Sequence, residues 1–280
     1  MKTKIETDPW KKICDDLGLS DGIDWFVSPP ISNKTIGKYG PPGKIIPIYT
    51  REQLSSQHPF LYMNKLTPMR VGKGEAILTK ASLIQDIPRG SRSDFLSIKL
   101  SDKKADALQK FTKLTNDTEA KLLSIAYNHG VFSSVFNDSN KCDYNLGIYG
   151  KMNLPRNEIG LINFEENEKF YRLNVSNVQF ELDFSFEDES NIYIIEAKMG
   201  AARTFSSLQL FYPYLILNEY ALQSDKKIRP ILLVMQNFST EKLLYRILEY
   251  AFSRSNVPNS IYLKRETDVS LSYSSQYYFS

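Results

Sequence analysis

The chain predicts an α/β fold, a mixed β-sheet flanked by helices, with an N-terminal mixed α+β region. Three observations carry this. Val178 to Phe186 alternates with period two: Phe180, Leu182, Phe184 and Phe186 share one side, Gln179, Glu181, Asp183 and Ser185 the other, the pattern of a strand. Ile192 to Ile195 and Pro230 to Gln236 are apolar runs, the composition of strands covered on both faces. Segments with helical spacing stand before and between them, so helices and strands share one layered core.

The elements follow in chain order. Pro9 to Leu17 reads as an amphipathic helix with Asp8 as its cap. Ser28-Pro29-Pro30 and Lys38 to Gly43 are loop, and Ile45 to Tyr49 is expected as a strand despite Pro47. Residues 60–100 read as mixed β with turns, punctuated by Arg70, Lys73, Lys80, Arg89, Arg92 and Lys99. Gly72, Gly74 and Gly90 there let backbone approach a partner closely. Thr115 to Thr118 offers caps for a helix from Glu119, with Leu122, Leu123, Ala126 and Tyr127 as its stripe and Gly130 as its stop.

Residues 131–177 read as an insertion, with a polar loop at Asn137 to Asn145 and a strand at Lys169 to Val175. The Val178 and Ile192 strands are joined by Glu187-Asp188-Glu189-Ser190-Asn191, a turn composition that predicts an antiparallel hairpin. Phe205, Leu208, Tyr212, Leu215 and Glu219 share helical spacing, and Pro213 is expected to kink or restart that helix. After the Pro230 strand, Ser239-Thr240 reads as the cap of a helix through Leu243, Leu244, Ile247, Leu248 and Ala251, and Ser260 to Lys264 as a last strand. The division expected is an N-terminal recognition region over 1–110 and a catalytic domain over 111–280.

Composition narrows the function classes. At 42% hydrophobic and 24% charged the chain is an ordinary globular protein. No apolar run approaches the ~20 residues a membrane helix needs, and the first residues, MKTKIETDPWKKICDDLG, hold no apolar signal core. Cys14 and Cys142 alone make no disulfide framework, so a reducing cytoplasm is expected. Two histidines, His58 and His129, exclude most zinc sites. Charge is split: residues 1–115 hold 19 Lys and Arg against 12 Asp and Glu, and residues 116–280 hold 16 against 20. A basic half beside an acidic half fits a DNA-contacting region joined to a metal site.

The chemistry sits on the hairpin. In register, Asp183 and Glu196 converge, and Glu196 and Lys198, two apart, point to one face. Mg²⁺ takes hard oxygen ligands, commonly one or two carboxylates with waters and substrate phosphates. Asp183, Glu196 and the Ala197 carbonyl supply such a set, and Lys198 offers positive charge to water or phosphate. A solvated hairpin also carries alternating charge, but the strand leading to Glu196 is too apolar for an exposed edge.

Three stretches in this order, Q-x-E-x-D-x-x-F-E from Gln179, I-I-E-A-K-x-G from Ile194 and L-Q-L-x-Y-P-Y from Leu208, resemble the catalytic core of type II restriction endonucleases of the PD-(D/E)xK nuclease superfamily. The resemblance spans about residues 115 to 265. It departs from the family's name in that Leu182, not proline, precedes Asp183. It implies a restriction-endonuclease-like core and a sequence-specific, Mg²⁺-dependent endonuclease of double-stranded DNA with Asp183, Glu196 and Lys198 as catalytic residues. It also implies a homodimer and a cognate methyltransferase as functional companion. Gln209 resembles a helix glutamine that some branches place near the site. Glu119 matches an acidic residue often contributed by the preceding helix, and equally suits a helix N-terminus on charge alone. Arg70, Lys73, Arg89 and Arg92 are the expected DNA contacts, with 131–177 as a further base-reading segment. A repair or recombination nuclease, or a DNA-binding protein with an inactive nuclease-like site, are the alternatives.

Overall fold

Apolar alternation builds one large mixed sheet and four small ones in the computed structural model, which describes residues 5–20, 23–41, 50–89, 94–114, 118–136, 144–200, 202–239 and 242–272. The N-terminal region is mixed α+β, as the sequence predicts. Helix α1 (Pro9–Asp16) is capped by Asp8, whose carboxylate accepts from the Trp10 amide at 2.9 Å. The same carboxylate accepts from the Phe60 amide at 3.0 Å, tying α1 to a later helix. Strand β1 (Ile31–Ser32), helices α2 (Asn33–Gly37), α3 (Arg51–Gln57) and α4 (Pro59–Met63), and the hairpin of β2 (Thr67–Gly72) and β3 (Glu75–Thr79) follow. Trp10, Ile13, Ile36, Leu61 and Leu78 close their shared core. A short β4 (Ile84–Asp86) ends the region. The strand expected at Ile45 to Tyr49, and Gly90, Arg92 and Cys142, lie outside the described residues.

The remaining elements are β5 (Asp94–Lys99), α5 (Asp102–Leu114), α6 (Glu119–Asn128), α7 (Val131–Phe136), β6 (Asn145–Leu146), β7 (Gly150–Leu154), β8 (Asn157–Asn163), β9 (Lys169–Val175), β10 (Val178–Leu182), β11 (Phe184–Glu187), β12 (Asn191–Met199), β13 (Thr204–Ser206), α8 (Leu208–Gln223), β14 (Lys227–Ser239), β15 (Lys242–Phe252) and β16 (Ile261–Ser272). The large sheet runs β5-β16-β15-β14-β12-β11-β6, with β12/β14 and β16/β5 parallel and the other pairs antiparallel. Helices α5 to α7 cover one face, where Phe132 and Leu122 meet Tyr193, Ile195, Leu233 and Tyr245. Helix α8 covers the other through Leu217 and Ala221 on Ile192 and Ile194, and Leu210 on Leu232 and Val234. This is the α/β layering that the sequence predicts.

Residues 131–177 are tied into this core. Helix α7 packs on the sheet, β6 forms its edge, and β7 pairs with β10. The β8–β9 hairpin buries Ile159, Leu161 and Val175 with Met69 and Val71 of β2 and Phe211 of α8. The N-terminal hairpin therefore shares a core with β8 to β10 and α8, and β5, from the first 110 residues, is an edge strand of the large sheet.

Three local expectations need correction. Residues 242–252 form a strand, not a helix. Leu243, Leu244, Ile247 and Leu248 satisfy a helical stripe, but β15 lies between β14 and β16 with both faces covered, and such a strand shows apolar residues on both parities. The stretch Val178 to Phe186 is two strands broken at Asp183, and the break switches faces: Leu182 packs towards α8, Phe186 towards α6 and α7. Finally, the helix begins at Leu208 and runs through Pro213 to Gln223 without a restart, Phe205 belonging to β13.

The turn of the predicted hairpin is set by Asp188. Its carboxylate accepts from the Ser190 and Asn191 amides at 2.8 and 2.7 Å and from the Tyr193 hydroxyl at 2.7 Å. Burial opposes its charge, but these donors hold it below the usual carboxylate range.

The β15 assignment has a direct check. Arg246 and Asp268 are cross-strand partners joined by two hydrogen bonds of 2.9 and 3.1 Å. A double-mutant cycle on Arg246→Ala and Asp268→Ala is expected to give a coupling of roughly 0.5–1.5 kcal/mol by chemical denaturation. Independent, additive effects would contradict the pairing.

Candidate active site

Strand β12 sets the site by period two. Ile192 and Ile194 face α8, and Tyr193, Ile195 and Ala197 face α6 and α7. Glu196 and Lys198 continue the α8 side beyond the last apolar residue. Glu196 is buried, 4% exposed, and Ala197 is fully buried on the opposite face.

The register of β11 on β12 pairs Phe184 with Ile195. Continued one step, it sets Asp183 opposite Glu196. Continued two, it would set Leu182 opposite Ala197, but β10 turns away there to pair with β7. The Asp183 carboxylate occupies the vacated position, accepting the Ala197 amide at 2.9 Å. The next outward amide, Met199, donates to Glu119, the first residue of α6. A residue's N–H and C=O leave an antiparallel strand on the same side, so the Ala197 carbonyl also faces this edge. Two carboxylates thus line an edge that a strand would otherwise cover.

Glu196 receives two donors on Oε1, the Lys198 ammonium and the Gln209 side-chain amide. Gln209 stands in the first turn of α8, and its own carbonyl accepts from the Ser206 amide at 3.2 Å. Ser206 belongs to β13, which pairs with β4. The Ser207 amide donates to the Leu83 carbonyl at 2.7 Å, and the Thr204 hydroxyl to Glu52 at 2.7 Å. The N-terminal region therefore holds the segment that positions Gln209. Nothing in the local pattern of residues 84–86 signals this, because the pairing is non-local.

Burial dominates the electrostatics. It pushes Glu196 up to about 7, with Lys198 opposing and Asp183 and Glu119 adding to the rise. Burial also raises Asp183, against the pull of the Ala197 amide and Lys198, and Glu119, against Lys198. Burial works to lower Lys198, but Glu196, then Glu119 and Asp183, outweigh it and hold the ammonium above its usual value.

The structure thus brings together Asp183, Glu196, Lys198, Glu119 and Gln209, the five residues singled out in the sequence. The expected DNA contacts do not form one group. Arg70 and Lys73 line one cleft with Gly72, Asn153, Asn177 and Gln179. Arg89 is exposed elsewhere, next to Pro88, whose carbonyl accepts from Arg246 of β15. Arg92 lies outside the described residues.

Among the described residues no group of three or more His, Cys, Asp or Glu side chains is arranged to hold a metal ion. The set at hand is two facing carboxylates, Asp183 and Glu196, with the Ala197 carbonyl. These are hard oxygen donors, and repulsion between them is relieved by a cation. They fit Mg²⁺, which keeps waters and takes few protein ligands. Among the described residues no helix is long and apolar enough to cross a membrane.

Residues 90–269 match a protein-family model described as a domain of unknown function, DUF6997. No curated protein and no solved structure matches the chain.

The raised Glu196 has a signed consequence for cation-free protein. Between the ordinary glutamate value and about 7 the folded chain holds a proton that the unfolded chain has lost. Its contribution to stability therefore declines as pH rises through that window. The melting temperature of Glu196→Gln relative to the parent is expected to climb from pH 5 to pH 8 in chelator. A difference between the two that stays flat or runs the other way would contradict the assignment.

Proposed function

The chain belongs to the DUF6997 family, and from the site it carries we propose a Mg²⁺-dependent endonuclease that hydrolyses phosphodiester bonds of double-stranded DNA, acting as a restriction enzyme. The observation that carries this reading is a charge imbalance around one buried carboxylate, Glu196, with the other groups half-buried beside it. Three carboxylates, Glu119, Asp183 and Glu196, interact with one ammonium, Lys198. Fully ionised, they leave two negative charges, which one divalent cation balances. The order of residues around the site, with Asp183 at the β10–β11 junction and Glu196-Ala197-Lys198 on the strand β12 that pairs with β11, supports the same reading through its resemblance to the PD-(D/E)xK nucleases.

Asp183, Glu196 and the Ala197 carbonyl would hold the cation. When bound, Mg²⁺ supplies positive charge against the phosphate and lowers the pKa of water. Lys198 is held on Glu196 with its ammonium at the rim, where it stabilises the charge that grows on phosphate oxygens as water attacks phosphorus. Gln209 fixes the rotamer of Glu196, and Glu119 is anchored on the Met199 amide beside it. The water gives up a proton to solvent as its oxygen bonds to phosphorus, the ester P–O bond breaks with its electron pair on the leaving oxygen, and that oxygen takes a proton from solvent. A double-strand cut is most simply made by a two-fold dimer with one site per strand.

The test is digestion of defined plasmid DNA with the fragment ends sequenced. Mg²⁺ is expected to support cleavage, Mn²⁺ to support it with relaxed choice, and Ca²⁺ to permit binding with poor chemistry. Asp183→Ala, Glu196→Ala and Lys198→Ala are each expected to abolish cleavage while the chain stays folded by circular dichroism. Full activity after exhaustive chelation, or near-parent cleavage by any of the three, would overturn the mechanism. On cognate DNA, light scattering is expected to find two chains per duplex. A 1:1 complex that cuts both strands would remove the dimer.

A further inference from the structure

A second polar feature lies along β10 from the first. The β2–β3 turn brings Arg70, Gly72 and Lys73 against Asn153 of β7, Gln179 of β10 and Asn177 of the β9–β10 turn, around a cleft of about 380 Å³. Register builds it. Asn153 and Gln179 are direct partners in the antiparallel β7/β10 pair, so their side chains leave the same face side by side. Leu154, Val178 and Phe180 bury the opposite face, and that pins the amides outward. The backbone beneath is braced: the Ser176 amide donates to the Val71 carbonyl at 2.9 Å, the Asn177 amide to Leu154 at 2.8 Å, and the Tyr212 hydroxyl to the Arg70 carbonyl at 3.2 Å.

The lining selects a ligand class. No carboxylate and no aromatic ring contributes, so neither a metal ion nor a stacked apolar ligand suits it. Three amides and two cations offer paired donors and acceptors beside positive charge. Asn and Gln amides match the N6/N7 edge of adenine, Arg the O6/N7 edge of guanine, and Lys the flanking phosphate. Resting on the nuclease reading above, we infer that this cleft reads purine edges in the major groove of the DNA that is cut.

The same strand fixes the distance to the chemistry. Gln179 lies in β10 and Asp183 just past its end, four residues on, at most about 13 Å at the usual rise. At about 3.4 Å per base pair, the bases read lie within about four base pairs of the scissile phosphate. The cut therefore falls inside or beside the recognised sequence.

The test uses the full chain in Ca²⁺ with duplexes carrying randomised positions, the bound fraction being sequenced, alongside plasmid digestion in Mg²⁺. A consensus fixed at one or more positions is expected for the parent, with cuts within about four base pairs of it. Gln179→Ala and Asn153→Ala, both at exposed positions, are expected to keep the parent melting temperature. Each should relax choice at one position and weaken cognate binding by about 5- to 150-fold, leaving scrambled duplex unchanged. Lys73→Ala is expected to weaken both duplexes alike. A consensus identical in both amide variants, or cuts remote from it, overturns the cleft as reader. Amide-dependent selection without any cleavage supports the cleft and removes the nuclease. Cleavage without sequence selection does the reverse, and a parent chain that binds no duplex overturns both.

Discussion

The hydrogen bond from the Ala197 amide to the Asp183 carboxylate, at 2.9 Å, is the contact on which the site depends. Strand β12 needs a partner along its outer edge, and β11 provides one only as far as Phe184. Beyond that point a side chain substitutes for a strand. The substitution satisfies an amide that would otherwise be costly to bury, and it frees β10 to turn towards β7. One residue thereby ends a strand, turns the chain and presents a carboxylate to Glu196. The five residues of the site come from α6, β12, α8 and the β10–β11 junction.

The rest of the molecule is organised around keeping that junction fixed. Helices α6 and α7 hold the far face of β12 through Phe132, Leu122 and Tyr193, and α8 holds the near face. The N-terminal region reaches the site indirectly. It pairs β4 with β13 and accepts the Ser207 amide on Leu83, so α8 starts where Gln209 meets Glu196. Its hairpin packs by Met69 and Val71 into the same core as α8. A basic region and an acidic site, separate in sequence, are in this way joined through the packing of α8 and the β4/β13 pair.

How much of this was legible in the sequence follows from which interactions are local. The Asp183, Glu196 and Lys198 set was legible because Glu196 and Lys198 share a parity on one strand and the turn composition after Phe186 predicts the hairpin; the register itself is set by Glu187 pairing with Ile192, one residue tighter than a five-residue turn gives. Glu119 was legible as a helix start, from Thr118, which caps α6 by accepting the Lys121 amide at 3.2 Å. The break at Asp183 was not, since Leu182 and Phe184 share a parity and only the pairing of β10 with β7 separates their faces. Nor was β15: its apolar residues fit a helix and a doubly covered strand equally, and β14 and β16 decide between them. The cleft of Arg70, Asn153 and Gln179 needed three segments brought together, which period and composition do not encode.

The outer edge of the large sheet carries a consequence for assembly. Strand β5 has its neighbour in β16, with Asp94 beside Thr267, so two segments near opposite ends of the family's matched region must meet. During synthesis β5 emerges early and waits while the intervening elements are made. Closing so long a loop carries an entropic cost, and parallel pairing of this kind is slow. The waiting edges of β5 and β15 are then exposed hydrogen-bonding templates, and intermediates of that type are prone to self-association. Yield of folded chain should therefore be governed by the speed of this last closure more than by the stability of the finished sheet.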